Sequence, residues 1–378
     1  MNRDIYRRLQ QHLDRMPIPF PATESGVEIR LLKQLFSIEE AEVALCLSAL
    51  PEPAMKIHKR LKKKKITTGR LENILNGLYR KGAIRGVRDR KNPMGRYLYS
   101  KVPLAIGMFE FQVDRITKEF AQDFFDYEKE AFADALLKQD TKQMRTIPVN
   151  IKIDPEFQVG QYDNIQEIIK ESPGPFGVMN CVCRQAKDQM GKSCSHTDMR
   201  ETCLTLEGAV ESMKDLGVCT EITREDALKV LKNAKKAGLV LQPENTQHPH
   251  FICCCCGCCC GVLTAAKFYD KPASFLHSNF LAQVDPEKCD GCDVCLERCQ
   301  IDALSRENGY MTVDSDRCIG CGLCVPTCKQ RAVRLIKKDQ EWIPPKRSHD
   351  MYKQIMMERF GLWGTMKIAG KAILGRKI

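Results

Sequence analysis

Eight cysteines toward the C-terminal end stand in two like arrays. Cys289, Cys292, Cys295 and Cys299 have the spacing C-x2-C-x2-C-x3-C, and the spacing returns at Cys318, Cys321, Cys324 and Cys328, 29 residues on. Thiolates are soft ligands that suit zinc and iron–sulfur clusters. Three of them, two residues apart in a tight loop, wrap one face of an iron–sulfur cube, and the fourth ligand must come from elsewhere. Four-cysteine zinc sites also use C-x2-C pairs, but eight cysteines in a doubled array favour clusters. Gly precedes the second cysteine of each array (Gly291, Gly320), and Ala follows the fourth after three residues (Ala303, Ala332), so the segment is an internal duplication.

This duplication resembles the bacterial-type two-cluster ferredoxins, over Cys289 to Cys328 only. The resemblance implies two 4Fe–4S clusters in a pseudo-symmetric fold, with the last cysteine of each array serving the other cluster. Carried over, one cluster takes Cys289, Cys292, Cys295 and Cys328, and the other takes Cys318, Cys321, Cys324 and Cys299. The glycines let the loop backbone approach the sulfurs and offer N–H groups to them. Asn308-Gly309 supplies a turn between short strands. The family usually has Pro after the fourth cysteine; here Gln300 and Lys329 stand there. Pro is no ligand, so the departure bears on local rigidity and reduction potential.

Twelve further cysteines lie between Cys181 and Cys260, and Cys46 stands alone. They include Cys181, Cys183, Cys194, Cys203 and Cys219, and the run Cys253–Cys256, Gly257, Cys258–Cys260. Adjacent residues of an extended segment point to opposite faces, so the whole run cannot serve one metal, while alternate members such as Cys254 and Cys256 can. We expect a third site, iron–sulfur or zinc, drawn from Cys181, Cys183, Cys194 and Cys203 with members of the run, in a cysteine-rich loop near a domain seam. The bland alternative is a set of buried thiols acting as small hydrophobes. No C-x-x-C-H occurs, which excludes heme attachment of that type.

The elements that must position these residues read as an α+β multidomain chain. The expected parts are a winged-helix-like basic domain (1–105), a connecting helix (106–146), a Cys-rich α+β domain (147–283), a two-cluster ferredoxin domain (284–340) and a basic amphipathic tail (341–378). In the first, Ile29, Leu32, Leu35 and Phe36 have helical spacing, and Ser37 with Glu40 forms a capping box. Pro51 and Pro53 close that second helix. A short basic helix follows at Ala54 to Lys63, and Thr68 opens a longer one with Leu71, Ile74, Leu75 and Leu78 on one face, stopped by Gly82. Ile84 to Val87 and Arg96 to Tyr99 then alternate like strands around a turn at Asn92-Pro93-Met94-Gly95. Helices followed by a hairpin resemble the winged-helix modules of bacterial regulators, which implies that Arg70, Asn73, Asn76, Arg80 and Lys81 face a DNA groove or that the module docks protein. Phe109 to Gln143 lacks Gly and Pro and reads as one long helix. Alternation at Ile147 to Ile153 suggests a strand, and helices are expected near Asn164 to Lys170 and at Arg224 to Ala237, the latter capped by Thr223.

Composition bounds the function. At 378 residues, 43% hydrophobic and 28% charged, the chain is of ordinary globular type. No apolar stretch approaches the length that spans a bilayer, and Met1 to Arg15 is polar, so we expect a cytoplasmic protein whose cysteines persist as thiols or metal thiolates. The net charge is +11, and Ala54 to Lys101 holds sixteen Lys and Arg against Glu72 and Asp89, which implies an anionic partner. In the tail, Tyr352, Met356, Phe360 and Trp363 keep helical spacing among basic residues, with Gly361, Gly364 and Gly370 weakening the helix. Such a segment packs on the protein itself, binds a partner, or touches the inner face of a membrane. The layout as a whole looks like a group of large ferredoxin-domain proteins of anaerobic bacteria. The leading expectation is a single-electron carrier or oxidoreductase subunit, docking to a flavoprotein, ferredoxin or oxidoreductase partner. A redox-sensing DNA-binding regulator is the alternative, and a catalytic centre in the middle cysteines is a third. No acid/base pair, phosphate loop or dinucleotide fingerprint is present.

Overall fold

The computed structural model describes residues 2–61, 66–89, 97–149, 161–373 and 377. Two compact units divide the chain. The first comprises Met1–Asp140, Asp215–Val218 and Tyr352–Ile378, and the second Thr141–Lys214 and Cys219–Met351.

The first unit begins with α1 (Asn2–Leu13), α2 (Val27–Leu35) and α3 (Ile38–Ala44). The α3 start is the expected capping box: the Ser37 hydroxyl accepts from the Glu40 N–H while the Glu40 carboxylate accepts from the Ser37 N–H. Then come β1 (Glu52–Pro53), α4 (Ala54–His58), α5 (Thr68–Arg80), β2 (Arg85–Arg88) and β3 (Tyr97–Ser100). The side chain of Thr67 caps α5, and Leu71, Leu75 and Leu78 are buried along it. Gly82 ends the helix, with the Ala83 N–H reaching back to the Leu78 carbonyl. The strands form one antiparallel sheet in the order β1-β3-β2, with Glu52 opposite Tyr99 and Gly86 also opposite Tyr99. The turn expected at Asn92 to Gly95 and the lysines 62–65 lie outside the described residues.

The single connecting helix expected over 106–146 is not found. A short turn at Glu110–Gln112 is followed by left-handed Asp114, and a new helix starts where Thr117 caps α6 (Lys118–Tyr127). A wide turn at Glu128–Phe132 leads into α7 (Ala133–Leu137). The reason is apolar rather than polar: Phe109, Phe120, Phe124, Tyr127 and Phe132 are all buried, and α6 packs against α2. From Phe109 to Phe132 the stretch is core of the first unit, while its end from Thr141 belongs to the second.

The second unit carries α8 (Ile165–Glu171), β4 (Phe176–Asn180), α9 (Val182–Gln189), β5 (Glu201–Leu206), α10 (Gly208–Asp215), β6 (Thr220–Ile222), α11 (Arg224–Lys236), β7 (Val240–Pro243), β8 (Phe251–Cys255) and α12 (Gly261–Ala266). The strands make an antiparallel sheet in the order β6-β4-β5-β8-β7. Asn164 caps α8 and Thr223 caps α11, as their side-chain types favour. The strand expected from Ile147 is reduced to a single bridge between Ile147 and Leu241, and its remainder falls outside the described residues. Only the second half of the cysteine run, Cys256 to Cys260, is the expected loop, turning at Gly257–Cys259. The run's first half is strand β8, inside the sheet, and its last member, Cys260, precedes the first residue of α12.

The same unit continues into β9 (Phe280–Val284), α13 (Val294–Arg298), β10 (Leu304–Glu307), β11 (Tyr310–Val313) and β12 (Val333–Lys337). Strands β10 and β11 form a hairpin through left-handed Asn308 and Gly309, while β9 pairs with β12, Val284 opposite Val333. The duplicated segment therefore opens with β9, and it belongs to one compact unit with the cysteine-rich sheet rather than to a successive domain. The final helix, α14 (Ser348–Ile373), forms despite its glycines but breaks at Gly361, where φ is 67° and ψ 175°. Its buried face is Met351 and Ile355, not the Tyr352–Met356–Phe360–Trp363 stripe, and Trp363 is 83% exposed. No described helix is long and apolar enough to cross a membrane.

Candidate functional site

The two arrays occupy matched positions, the first between β9 and β10 and the second between β11 and β12. Gly291 and Gly320 both have left-handed backbone, at φ 65° and 64°. A Cβ at Gly320 would overlap the Phe280 carbonyl, and one at Gly291 would meet the Gly309 carbonyl, so each loop passes hard against a strand or turn. Two residues on, Asp293 and Gly322 are left-handed as well, and so are Asp302 and Arg331, three residues past each fourth cysteine. The duplication thus extends to the backbone.

This backbone aims N–H groups at sulfur. The Ala303 N–H donates to Cys299 Sγ at 3.3 Å, and the Ala332 N–H to Cys328 Sγ at 3.2 Å. The alanine of each repeat is buried in both copies. The Met311 N–H, on β11, donates to Cys289 Sγ at 3.4 Å, and the Ala282 N–H, on β9, to Cys318 Sγ at 3.5 Å. First and fourth cysteines of both arrays therefore accept a backbone hydrogen bond. Such bonds favour a charged sulfur, so these residues fit a thiolate-ligated cluster.

Electrostatics separate the two arrays. Burial pushes the Cys318, Cys321 and Cys324 thiols up, and the sulfur of Cys299 adds to the effect at all three. Cys299 accordingly stands electrostatically with the second array. Burial also raises Cys295, with Cys289 and Cys292 as its sulfur neighbours. Cys318 and Cys324 are buried, whereas Cys292 is exposed.

Two arginines beside the arrays bind backbone carbonyls. Arg298 donates to the carbonyls of Lys235 and Lys236 at the end of α11. Arg317 donates to the carbonyls of Ile301 and Asp302. Gln300, in place of the usual Pro, is 2% exposed, and its side-chain oxygen accepts from the Gly257 N–H at 2.8 Å. Gly257 lies in the middle of the cysteine run. A Cβ there would collide with the Gln300 carbonyl, so the run and the duplicated segment touch backbone to backbone.

Cys181, Cys183, Cys194 and Cys203 are not gathered into one group. Cys183 hydrogen-bonds with Cys181 and Cys260, and Cys253 with Cys203 and Cys255. Cys203 lies directly opposite Cys253 in the sheet. Cys194 instead joins Cys256, Cys258 and Cys259, the four sulfurs all lying within 4.8 Å of one another. Cys254, paired in our reading with Cys256, is buried apart from that group, its thiol pushed up by burial. The signal that could have found the group is Gly257: a glycine inside a cysteine run marks the turn that brings Cys258 and Cys259 back toward Cys256. Arg184, fully buried on α9, had no such signal. Its guanidinium donates to Thr202 Oγ1 at 2.5 Å and to the Cys254 carbonyl at 3.0 Å. Burial works against its charge, and the sulfurs of Cys181, Cys256, Cys194 and Cys255 more than offset that.

Residues 282–305 and 311–334 each match the 4Fe-4S binding domain. The duplicated segment is thus a 4Fe–4S binding domain of two adjacent motifs, and it supports iron–sulfur binding in this part of the chain. No curated protein and no solved structure matches the chain.

Proposed function

We propose that the chain is an electron-transfer protein, or the electron-transfer subunit of an oxidoreductase, holding two 4Fe–4S clusters in a crossed arrangement. Cys289, Cys292, Cys295 and Cys328 hold one cluster, and Cys318, Cys321, Cys324 and Cys299 the other. When bound, such clusters take up and release single electrons at potentials tuned by hydrogen bonds to sulfur and by exposure. The observation that carries the reading is the repeated N–H···S pattern: Ala303 to Cys299, Ala332 to Cys328, Met311 to Cys289 and Ala282 to Cys318. The influence of Cys299 on the thiols of the second array supports the crossing. Exposed Cys292 against buried Cys318 and Cys324 supports electron exchange with a partner at the first array. The test is anaerobic purification with iron and sulfide counted per chain and EPR during reduction. About eight irons, four for each cube, and two interacting reduced signals are expected; zinc in place of iron would sink the reading.

The first unit reads as a winged-helix-like module that docks the redox partner, the support being the strand order β1-β3-β2, with β1 before α4 and α5 and the β2–β3 pair after them. A DNA-binding regulator is less well supported. Arg70 of α5 pairs in bidentate fashion with Glu39, Lys81 with Glu40, and Arg60 and Lys56 with Glu52. Four of the sixteen cations between Ala54 and Lys101 are thereby met by acids outside that stretch, and Arg70 and Lys81, two of those expected to face the groove, would have to give up these pairs to reach phosphate. A gel shift at low salt distinguishes the two: no retardation is expected. Past Gly361, exposed Leu362, Trp363 and Met366 beside Lys367 and Lys371 support peripheral contact of a cytoplasmic protein with an anionic membrane face. Cosedimentation with anionic vesicles, abolished by Trp363→Ala, tests that contact.

A further inference from the structure

We propose that Cys194, Cys256, Cys258 and Cys259 bind one tetrahedral zinc ion, separate from the ferredoxin clusters. The first argument is size. Four thiolates around zinc, each about 2.3 Å from the ion, lie about 3.8 Å from one another. Here Cys194 stands 3.6 Å from Cys256 and 3.6 Å from Cys258, Cys256 stands 3.5 Å from Cys258, and Cys258 stands 3.4 Å from Cys259. All four sulfurs lie within 4.8 Å of one another, the size of one tetrahedral shell. Thiolates of an iron–sulfur cube hold separate corners and stand further apart, and among the described residues no four sulfurs of the duplicated segment form so tight a group.

The second argument is how the chain builds the group. Strand β8 delivers Cys256, the turn at Gly257 returns Cys258 and Cys259, and the loop after α9 brings Cys194 from more than sixty residues away. Four protein ligands from two distant segments make a closed site of the structural kind, with no position left for substrate. Ser195, next to Cys194, hydrogen-bonds to the Cys258 sulfur through its backbone and its side chain, as groups around a metal thiolate do.

Charge gives an independent argument. Arg184 is fully buried, has no carboxylate among its hydrogen-bond partners, and its Nε lacks any partner. An unpaired buried guanidinium is costly. Four thiolates around a divalent ion carry two net negative charges, so the occupied site supplies the missing counter-charge. Zinc is redox-silent, and the Gly257–Gln300 hydrogen bond places its turn against the residue following Cys299. The ion would fix that turn without exchanging electrons.

The test uses the full chain, purified anaerobically with a tag that binds no metal, with zinc and iron measured together and zinc examined by X-ray absorption. About one zinc per chain with four sulfurs at about 2.3 Å is expected. Cys258→Ser should lose that zinc while keeping the iron, and Cys219→Ser, outside the group, should keep both. No zinc in the wild type, or zinc bound through nitrogen or oxygen, would overturn the proposal. So would iron near twelve per chain falling by four in Cys258→Ser, which would make the group part of a cube. Should Cys258→Ser fail to fold, the wild-type metal content and absorption spectrum decide alone. Absence of iron would defeat the ferredoxin reading and leave this one standing.

Discussion

The duplicated segment and the cysteine run hold their sulfurs by opposite means. In the first, backbone N–H groups from loops and strands point at sulfur, with the same geometry in both halves. In the second, thiols bond one another around a buried arginine, and Cys256 is held down to about 4 by the thiol of Cys259, against burial and with help from Arg184. A chain that must support a charged cluster spreads its thiolates and solvates each with backbone. A chain that must hold one ion draws its thiolates together and places a counter-charge behind them.

The sharpest way to break this comparison is to remove one sulfur from each region. Cys318→Ser should halve the iron, from about eight per chain to about four, and leave zinc in place. Cys258→Ser should do the reverse. Loss of both metals from either variant would show a single coupled site and end the distinction. Metal analysis by mass spectrometry reads both changes in one sample.

How far the sequence reveals these sites follows from what kind of regularity each uses. The array spacing, the glycines and the alanines repeat along the chain, so the duplicated domain could be read directly. The capping boxes and caps at Ser37 and Thr223 were legible for the same reason: their partners lie three residues away. The cysteine run has no repeat. Its tight group depends on Cys194 crossing to Cys256 and Cys258, a long-range pairing that no local pattern encodes, which is why the expected set placed Cys194 with Cys181, Cys183 and Cys203 instead. The 106–146 stretch misled because its charged residues outnumber its phenylalanines, although the phenylalanines decide its packing. The ion pairs of the basic region were not legible, because Glu39, Glu40 and Glu52 lie outside it in sequence and beside it in space.

Backbone substitutions sharpen the contrast at smaller energies. Gly320→Ala places a Cβ on left-handed backbone, which costs about 1–2 kcal/mol by itself, and drives it into the Phe280 carbonyl. Stability should fall by more than that, with iron lost from the second array. Gly191→Ala, at φ 70° in open space, should show only the backbone cost and keep its metals. Equal effects in the two would mean that the close approach at β9 is unimportant. Denaturant titration and an iron assay measure both.

Gln300 joins the two regions, so its replacement tests whether they act on each other. Gln300→Leu leaves the buried Gly257 N–H without its acceptor, a loss of about 1–3 kcal/mol. Zinc should then pass to a chelator faster while the iron count holds. Faster iron loss with unchanged zinc release would assign the bond to the ferredoxin side instead.

The smallest effect concerns the first unit, where burial, with neighbouring cations, sets the charge. Lys101 donates to the His12 carbonyl at 3.0 Å, and burial, with Lys377 and Arg15 nearby, lowers its ammonium to about 7. The unfolded chain keeps that proton to about 10.5, so between these values unfolding takes up a proton and stability rises with pH. His12 adds the same sign at lower pH. Burial, reinforced by Lys101 and Lys377, holds it down to about 3 against 6.5 when unfolded, so stability falls as pH drops through that window. Melting followed by circular dichroism should show wild type gaining on Lys101→Met from pH 7 to 10. Parallel pH profiles would mean that Lys101 stays charged in the fold, and the metal sites, shared by both proteins, cancel in the difference.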